Sequence, residues 1–172
     1  MTLARAGRRG EHRGADTLVD VRKGDLAVDF ELPDENGTPR RLTDLLKSGP
    51  VVLFFYPGAM TYGCTRESCH FRDLRGEFEA ARGQPIGISA DPVEKQKKFS
   101  DMHSFGYPLL SDLDGLVAEH YGVRRRIAAL GNRRMTFVID TDLRVLEVVQ
   151  SEVSFASHAD KALEVLRARA AA

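Results

Sequence analysis

Six apolar and aromatic residues in a row, Val51-Val52-Leu53-Phe54-Phe55-Tyr56, run directly into the turn pair Pro57-Gly58. A run that short, closed by turn residues, reads as a buried β-strand. Beyond the loop, Phe71, Leu74 and Phe78 recur at helical spacing, so the chain passes from a buried strand into an amphipathic helix. Both cysteines of the 172 residues, Cys64 and Cys69, fall at the start of that helix. A thiol carried by a strand, across a Pro/Gly loop, into a first helical turn meets free N–H groups and the positive end of the helix dipole. Such a position favours the thiolate and marks a reactive cysteine.

With 3.6 residues per turn, Cys64 shares the packed face with Phe71 and Phe78, and Cys69 lies about 140° around and roughly 7.5 Å further along the axis. Their Cα atoms are then about 8–9 Å apart in an intact helix, beyond the roughly 7 Å that a disulfide spans without backbone movement. A bridge between them requires the helix to unwind locally, so the reduced and oxidised forms would differ in shape. Thr61, three residues before Cys64, can present its hydroxyl beside the sulfur, as an N-cap or as a substrate contact.

Other chemistries fit poorly. Structural zinc takes four Cys or His ligands at short paired spacings, whereas only Cys64, Cys69 and His70 cluster here; no metal site is expected. Iron–sulfur ligation needs more cysteines. Glu67 reads as a helix-surface or first-turn carboxylate. His12, His70, His103, His120 and His158 are scattered through polar contexts and read as surface or packing residues. From pattern alone, Arg134 opens a strand Arg134–Asp140 on the same face as Thr136, among Arg124, Arg125, Arg126 and Arg133. It reads there as a strand-edge arginine.

The segment Pro57-x-x-x-Thr61-x-x-Cys64 resembles the active-site signature of the peroxiredoxins, thiol peroxidases on a thioredoxin-like fold. A second cysteine five residues later is characteristic of the peroxiredoxin Q, or bacterioferritin comigratory protein, subgroup. Phe30-Glu31-Leu32-Pro33-Asp34, Phe71-Arg72-Asp73, Tyr107-Pro108-Leu109-Leu110-Ser111-Asp112 and Arg134-Met135-Thr136-Phe137-Val138-Ile139-Asp140 also look like family landmarks, so the resemblance spans roughly residues 22 to 168. It implies Cys64 as the peroxidatic cysteine and Cys69 as the resolving one. Thr61 and Arg134 match the other two catalytic positions, and Pro57, with Gly63 beside the thiol, shields or shapes the site. It implies no cofactor, a hydroperoxide substrate, reduction by thioredoxin or a similar dithiol protein, and a monomer or weak homodimer. One departure stands out: Tyr62 occupies the place of the subgroup's usual proline, which bears on loop stiffness and access to the thiolate.

The rest of the chain bounds the answer. The hydrophobic fraction of 42% suits a single domain with a sizeable core, and the formal net charge of zero offers no electrostatic case for nucleic acid or a membrane surface. No apolar stretch approaches the ~18–20 residues of a membrane span, and no apolar core for a secretory signal follows the early arginines. Two cysteines capable of reversible chemistry suit a reducing cytoplasm. Residues 1 to 21, rich in Arg and Gly, read as a disordered extension before a domain of residues 22–172.

Turn and period signals predict strands at 28–32, 38–41, 51–56 and 85–90, and a hairpin of 135–140 with 145–150. They predict helices at 43–47, 62–82, 91–105, 114–121 and 158–168. That order is α/β, a central mixed β-sheet flanked by helices in the thioredoxin-like arrangement. Two other functions compete with peroxide reduction. A thioredoxin-like disulfide reductase normally needs Cys-x-x-Cys, and Thr61 holds the first of those positions. A redox-sensing interaction protein, switched by a Cys64–Cys69 disulfide, would use the same unwinding.

Overall fold

In the computed structural model, residues 20–172 are described. The strands are β1 (Glu31–Pro33), β2 (Pro39–Arg41), β3 (Val51–Phe55), β4 (Gln84–Ser89), β5 (Leu109–Ser111), β6 (Met135–Ile139) and β7 (Val145–Gln150). The helices are α1 (Leu42–Leu45), α2 (Tyr62–Asp73), α3 (Arg75–Ala80), α4 (Val93–His103), α5 (Leu116–His120) and α6 (Phe155–Ala171). Short 3₁₀ turns follow at Leu46–Ser48 and Ala128–Leu130.

Five strands form one sheet in the order β5-β4-β3-β6-β7, and β1 pairs with β2 in a small separate hairpin. β3 runs parallel to β4 and antiparallel to β6, so the sheet is mixed. Its central strand is buried at every position, which is why the sequence there is an unbroken apolar run. Alternate residues feed two cores. Val51, Leu53 and Phe55 pack with Phe30, Leu42 and Tyr121 on one face. Val52, Phe54 and Tyr56 pack with Cys64, Phe71, Phe78 and Leu163 on the other. The thioredoxin-like α/β expectation is met.

Several boundaries differ from those the sequence suggests. The predicted helix 62–82 is two helices with a kink at Leu74 (φ −92°, ψ 12°). Bonds from Leu74 N to His70 O and from Phe78 N to Leu74 O carry across it, so Phe71 and Phe78 still stack at 5.6 Å. α4 stops at His103 because Ser104 takes a left-handed conformation (φ 50°), leaving Phe105 beyond the helix. The first strand starts at Glu31 rather than Val28, and α6 begins at Phe155, three residues before the expected start. β5, only three residues long, carries no periodic signal of its own. The extension expected over residues 1–21 lies outside the described residues except for Asp20 and Val21. Val21 is 4% exposed in the core, so packed structure begins before residue 22.

Candidate active site

The site forms where β3 ends. The chain leaves Tyr56, makes a loop through Pro57–Thr61 and enters α2, and this loop is held from below. Asp91 Oδ2 accepts from Ala59 N at 2.7 Å and from Ser89 Oγ at 2.7 Å. Met60 takes a positive φ of 63°, a left-handed turn that delivers Thr61 to the helix N-cap. Thr61 does not cap with its side chain; its hydroxyl donates to Gly58 O at 2.8 Å. The first helical bond runs from Thr65 N to Thr61 O, so the N–H groups of Tyr62, Gly63 and Cys64 open the helix as its unpaired donors.

Cys64 is 0% exposed and Cys69 half-buried; both are free thiols. Arg134, at the entry to β6, reaches Cys64 Sγ with Nη2 at 3.5 Å and pairs with Glu67 Oε2 through Nη1. Arg134 is buried, not the strand-edge residue that its pattern alone suggests. Desolvation works against its charge, but the acidic side chains of Glu67 and Cys64 outweigh it and hold the guanidinium above its ordinary range. The Phe155 ring lies under that guanidinium, 4.9 Å from Cζ to the ring centroid. Gly63 makes the close packing possible: a Cβ there would stand 2.8 Å from the Phe155 ring and 3.1 Å from Arg134 Nη2. Pro57 is half-buried, and its carbonyl is approached so closely by Gly131 (φ 64°) that no side chain fits at Gly131.

Glu67 overturns its helix-surface or first-turn assignment, whereas His158 falls on the packing side of its own. Glu67 is 0% exposed on the same stripe of α2 as Cys64, and burial pushes its carboxyl up to about 7 despite the opposing pull of Arg134. His158 on α6 is also buried; it does pack, but as part of a polar cluster. Its Nε2 lies 2.8 Å from Ser151 O and its Nδ1 2.8 Å from Thr136 Oγ1. A carbonyl only accepts, so Nε2 carries the hydrogen and Nδ1 accepts from the Thr136 hydroxyl. Burial, aided by Arg134, lowers the imidazole's affinity for a proton, so it is neutral near pH 7. Thr136 and Arg134 do share a face, as the strand period predicts.

Cys69 opens on a groove of ≈ 620 Å³ lined in part by Tyr62, Arg66, His70, Val153 and Phe155. Burial raises its thiol above the usual range, with Arg72 acting in the other direction. Tyr62, where the family resemblance expects proline, is 74% exposed at this groove and accepts from Arg66 Nη1 at 3.0 Å. Among the described residues, no group of three or more His, Cys, Asp or Glu side chains is placed to hold a metal ion, and no helix is long and apolar enough to cross a membrane.

A cysteine at a helix start under an arginine from a distant strand is the arrangement that the peroxiredoxin resemblance implies. Residues 23–148 match the AhpC/TSA family. This chain is a peroxiredoxin. It is 36% identical to peroxiredoxin Bcp of Escherichia coli over 155 residues, covering 87% of this chain and 98% of that one. The crystal structure of peroxidoxin BcpB from Mycobacterium tuberculosis is 58% identical, with a TM-score of 0.83 over 86% of this chain and 97% of that one. The bacterioferritin comigratory protein of Xanthomonas campestris, studied for alkyl peroxide reduction, is 31% identical with a TM-score of 0.74, over 82% and 92% of the two chains. This peroxiredoxin therefore belongs with the peroxiredoxin Q and bacterioferritin comigratory proteins, and it is a thiol-dependent peroxidase.

Proposed function

We propose that Cys64 is the thiol that reduces hydroperoxides and that Cys69 resolves the product. The observation that carries this reading is the 3.5 Å contact of the Arg134 guanidinium with Cys64 Sγ at the start of α2. A permanent cation beside the sulfur favours the thiolate and offers donors to a bound peroxide. The thiolate attacks the terminal peroxide oxygen; the S–O bond forms, the O–O bond breaks, and the leaving oxygen takes a proton to give water or an alcohol. Unpaired N–H groups at the helix start suit the developing charge, and the Thr61 hydroxyl, which donates to Gly58 O, keeps its oxygen free to accept from the peroxide O–H. Pro57 shields the sulfur, and Gly63 allows Arg134 its approach. The Cys64 sulfenic acid condenses with the Cys69 thiol, releasing water and leaving a disulfide.

The Cys64–Cys69 disulfide is then reduced by a dithiol protein of the thioredoxin type, which needs no cofactor bound to this chain. The substrate class is hydrogen peroxide and organic hydroperoxides. The subgroup resemblance implies a monomer or weak homodimer, and a cytoplasmic place without nucleic-acid or membrane partners fits the neutral charge and the cysteine usage.

Stopped-flow mixing of the reduced protein with hydrogen peroxide, read by intact mass, tests this. The fast reaction should vanish in Cys64→Ser, and sulfenic acid should accumulate in Cys69→Ser. Turnover that survives Cys64→Ser would overturn the assignment.

A further inference from the structure

One guanidinium serves two acidic side chains in this site. Arg134 holds Glu67 with Nη1 and Cys64 Sγ with Nη2, and all three groups are buried. A thiolate and a carboxylate together would leave a net negative charge in a desolvated cluster, and a thiol with a carboxylic acid would leave it positive. Either imbalance is costly away from water, so a single proton distributed between Cys64 and Glu67 gives the neutral state.

The surroundings of Glu67 favour a state in which it holds that proton. Its Oε1 is buried with no hydrogen-bond partner, while Oε2 is taken by Arg134. Oε1 lies 3.7 Å from His158 Nδ1, the nitrogen that carries a lone pair. The other groups facing it are Tyr107 beyond α2 and Glu152 from the turn before α6, which accepts from Arg134 N at 3.2 Å and pairs with Arg125 at 2.8 Å. Neither adds a positive charge. Among the described residues Arg134 is thus the one cation facing the carboxyl, and neutral His158, its Nδ1 already accepting from Thr136, adds no charge that would hold Glu67 as the anion.

We propose that Glu67 is a proton-holding residue for the reactive thiol, so that Cys64 and Glu67 ionise at each other's expense. The step moves a proton and no electrons: Cys64–SH with Glu67–COO⁻ becomes Cys64–S⁻ with Glu67–COOH. The cluster's net charge is zero on both sides of this step. When the sulfur takes the terminal hydroxyl, the leaving oxygen draws a proton from solvent, and Glu67, no longer beside a thiolate, returns one proton to solvent and becomes the carboxylate again. Across the turn, thiol plus hydroperoxide becomes sulfenic acid plus water or alcohol.

The inference rests on Cys64 being the reacting thiol, and the test separates the two. Thiolate formation, followed by ultraviolet absorbance and by alkylation rate against pH, is compared in wild type and Glu67→Gln. Two coupled groups titrate as a pair, so wild-type thiolate forms in two steps. In Glu67→Gln it forms in one step that completes about one pH unit lower, the size of effect expected from removing a neighbouring like charge. If Glu67 only orients Arg134, the amide variant instead forms its thiolate at the same or a higher pH, and the proposal falls.

A second readout guards against a misfolded variant. In wild type an infrared carboxylic-acid band should grow as Cys64 ionises, and Cys64→Ser should abolish that coupling. Its absence from wild type also overturns the proposal. Peroxide consumption that persists in Cys64→Ser sinks the functional assignment itself.

Discussion

If Cys69 resolves Cys64 as proposed, the buried Tyr107 should restrain how readily the two can meet. Tyr107 donates its hydroxyl to Ser68 O at 2.6 Å, between the two cysteines on α2. The proposed disulfide would require α2 to open across this stretch, so the bond exists in the closed form only. Tyr107→Phe keeps the ring in its stack with Phe105, centroids 5.5 Å apart, and against Phe54 at 5.8 Å. A buried hydrogen bond contributes about 1 kcal/mol net, which is roughly a fivefold change in an equilibrium. The open form should therefore be populated about five times more, and condensation of sulfenic acid with Cys69 should quicken by about the same factor. The initial reaction of Cys64 with peroxide should not change, because Tyr107 is not among the groups facing the sulfur that act on the peroxide. Quenched-flow samples trapped with a sulfenic-acid reagent and read by intact mass measure both steps. At high peroxide the variant should also form less sulfinic acid, since the sulfenic acid survives for less time. A folded variant whose disulfide step is unchanged or slower would refute the idea that this bond restrains the opening.

Three further outcomes are expected. Gly63→Ala brings a Cβ to 2.8 Å from Phe155 and 3.1 Å from Arg134 Nη2, so the peroxide rate constant should fall at least tenfold. Stability should fall by about 0–2 kcal/mol, because about 1–3 kcal/mol of overpacking is set against roughly 1 kcal/mol of helix propensity, and thermal unfolding checks it. Arg134→Lys cannot serve Glu67 and Cys64 with one fork, and stopped-flow should show a loss of about 10²-fold or more. In the folded state Glu67 titrates at about 7 against an ordinary 4.5, so the native state binds the extra proton and wild-type stability falls as pH rises through that window, by at most ~3 kcal/mol. His158, held neutral, contributes the opposite slope as pH falls through 6.5, so denaturant unfolding of wild type and Glu67→Gln should be compared as a difference; the difference should grow from pH 4.5 to 7.

What the sequence disclosed about this site depended on whether a residue's partner lay nearby in the chain. Cys64 was legible because strand, loop and helix are contiguous, and the hairpin of β6 and β7 because its turn is local. Glu67 was not, because carboxylates are seldom fully buried and its partner Arg134 lies 67 residues on. A signal did exist: Cys64, Glu67, Ser68 and Phe71 fall at i, i+3, i+4 and i+7, and all four are buried. Spacing placed Glu67 on the packed face, while its polarity argued for the surface. His158 and Asp91 escaped for the same reason, since Thr136, Ser151 and the amide of Ala59 are brought to them only by the tertiary fold.

The meeting of Arg134 with Cys64 is a property of sheet register. Met135 pairs with Phe55 and Thr136 with Phe54, so Arg134 falls beside the end of β3 where the Pro57 loop begins. Thr136, and with it Arg134, faces the side of the sheet that carries Phe54, Tyr56 and α2. A slip of one residue between β3 and β6 would turn Met135 and Phe137 toward Cys64 and drive the arginine into the other core. Phe137 and Ile139 prevent that slip, because they are buried with Leu53, Phe55 and Tyr121 on the opposite face. Apolar residues far from the thiol thus fix which side chain reaches it, and their packing, as much as the cysteine motif, places the positive charge at the sulfur.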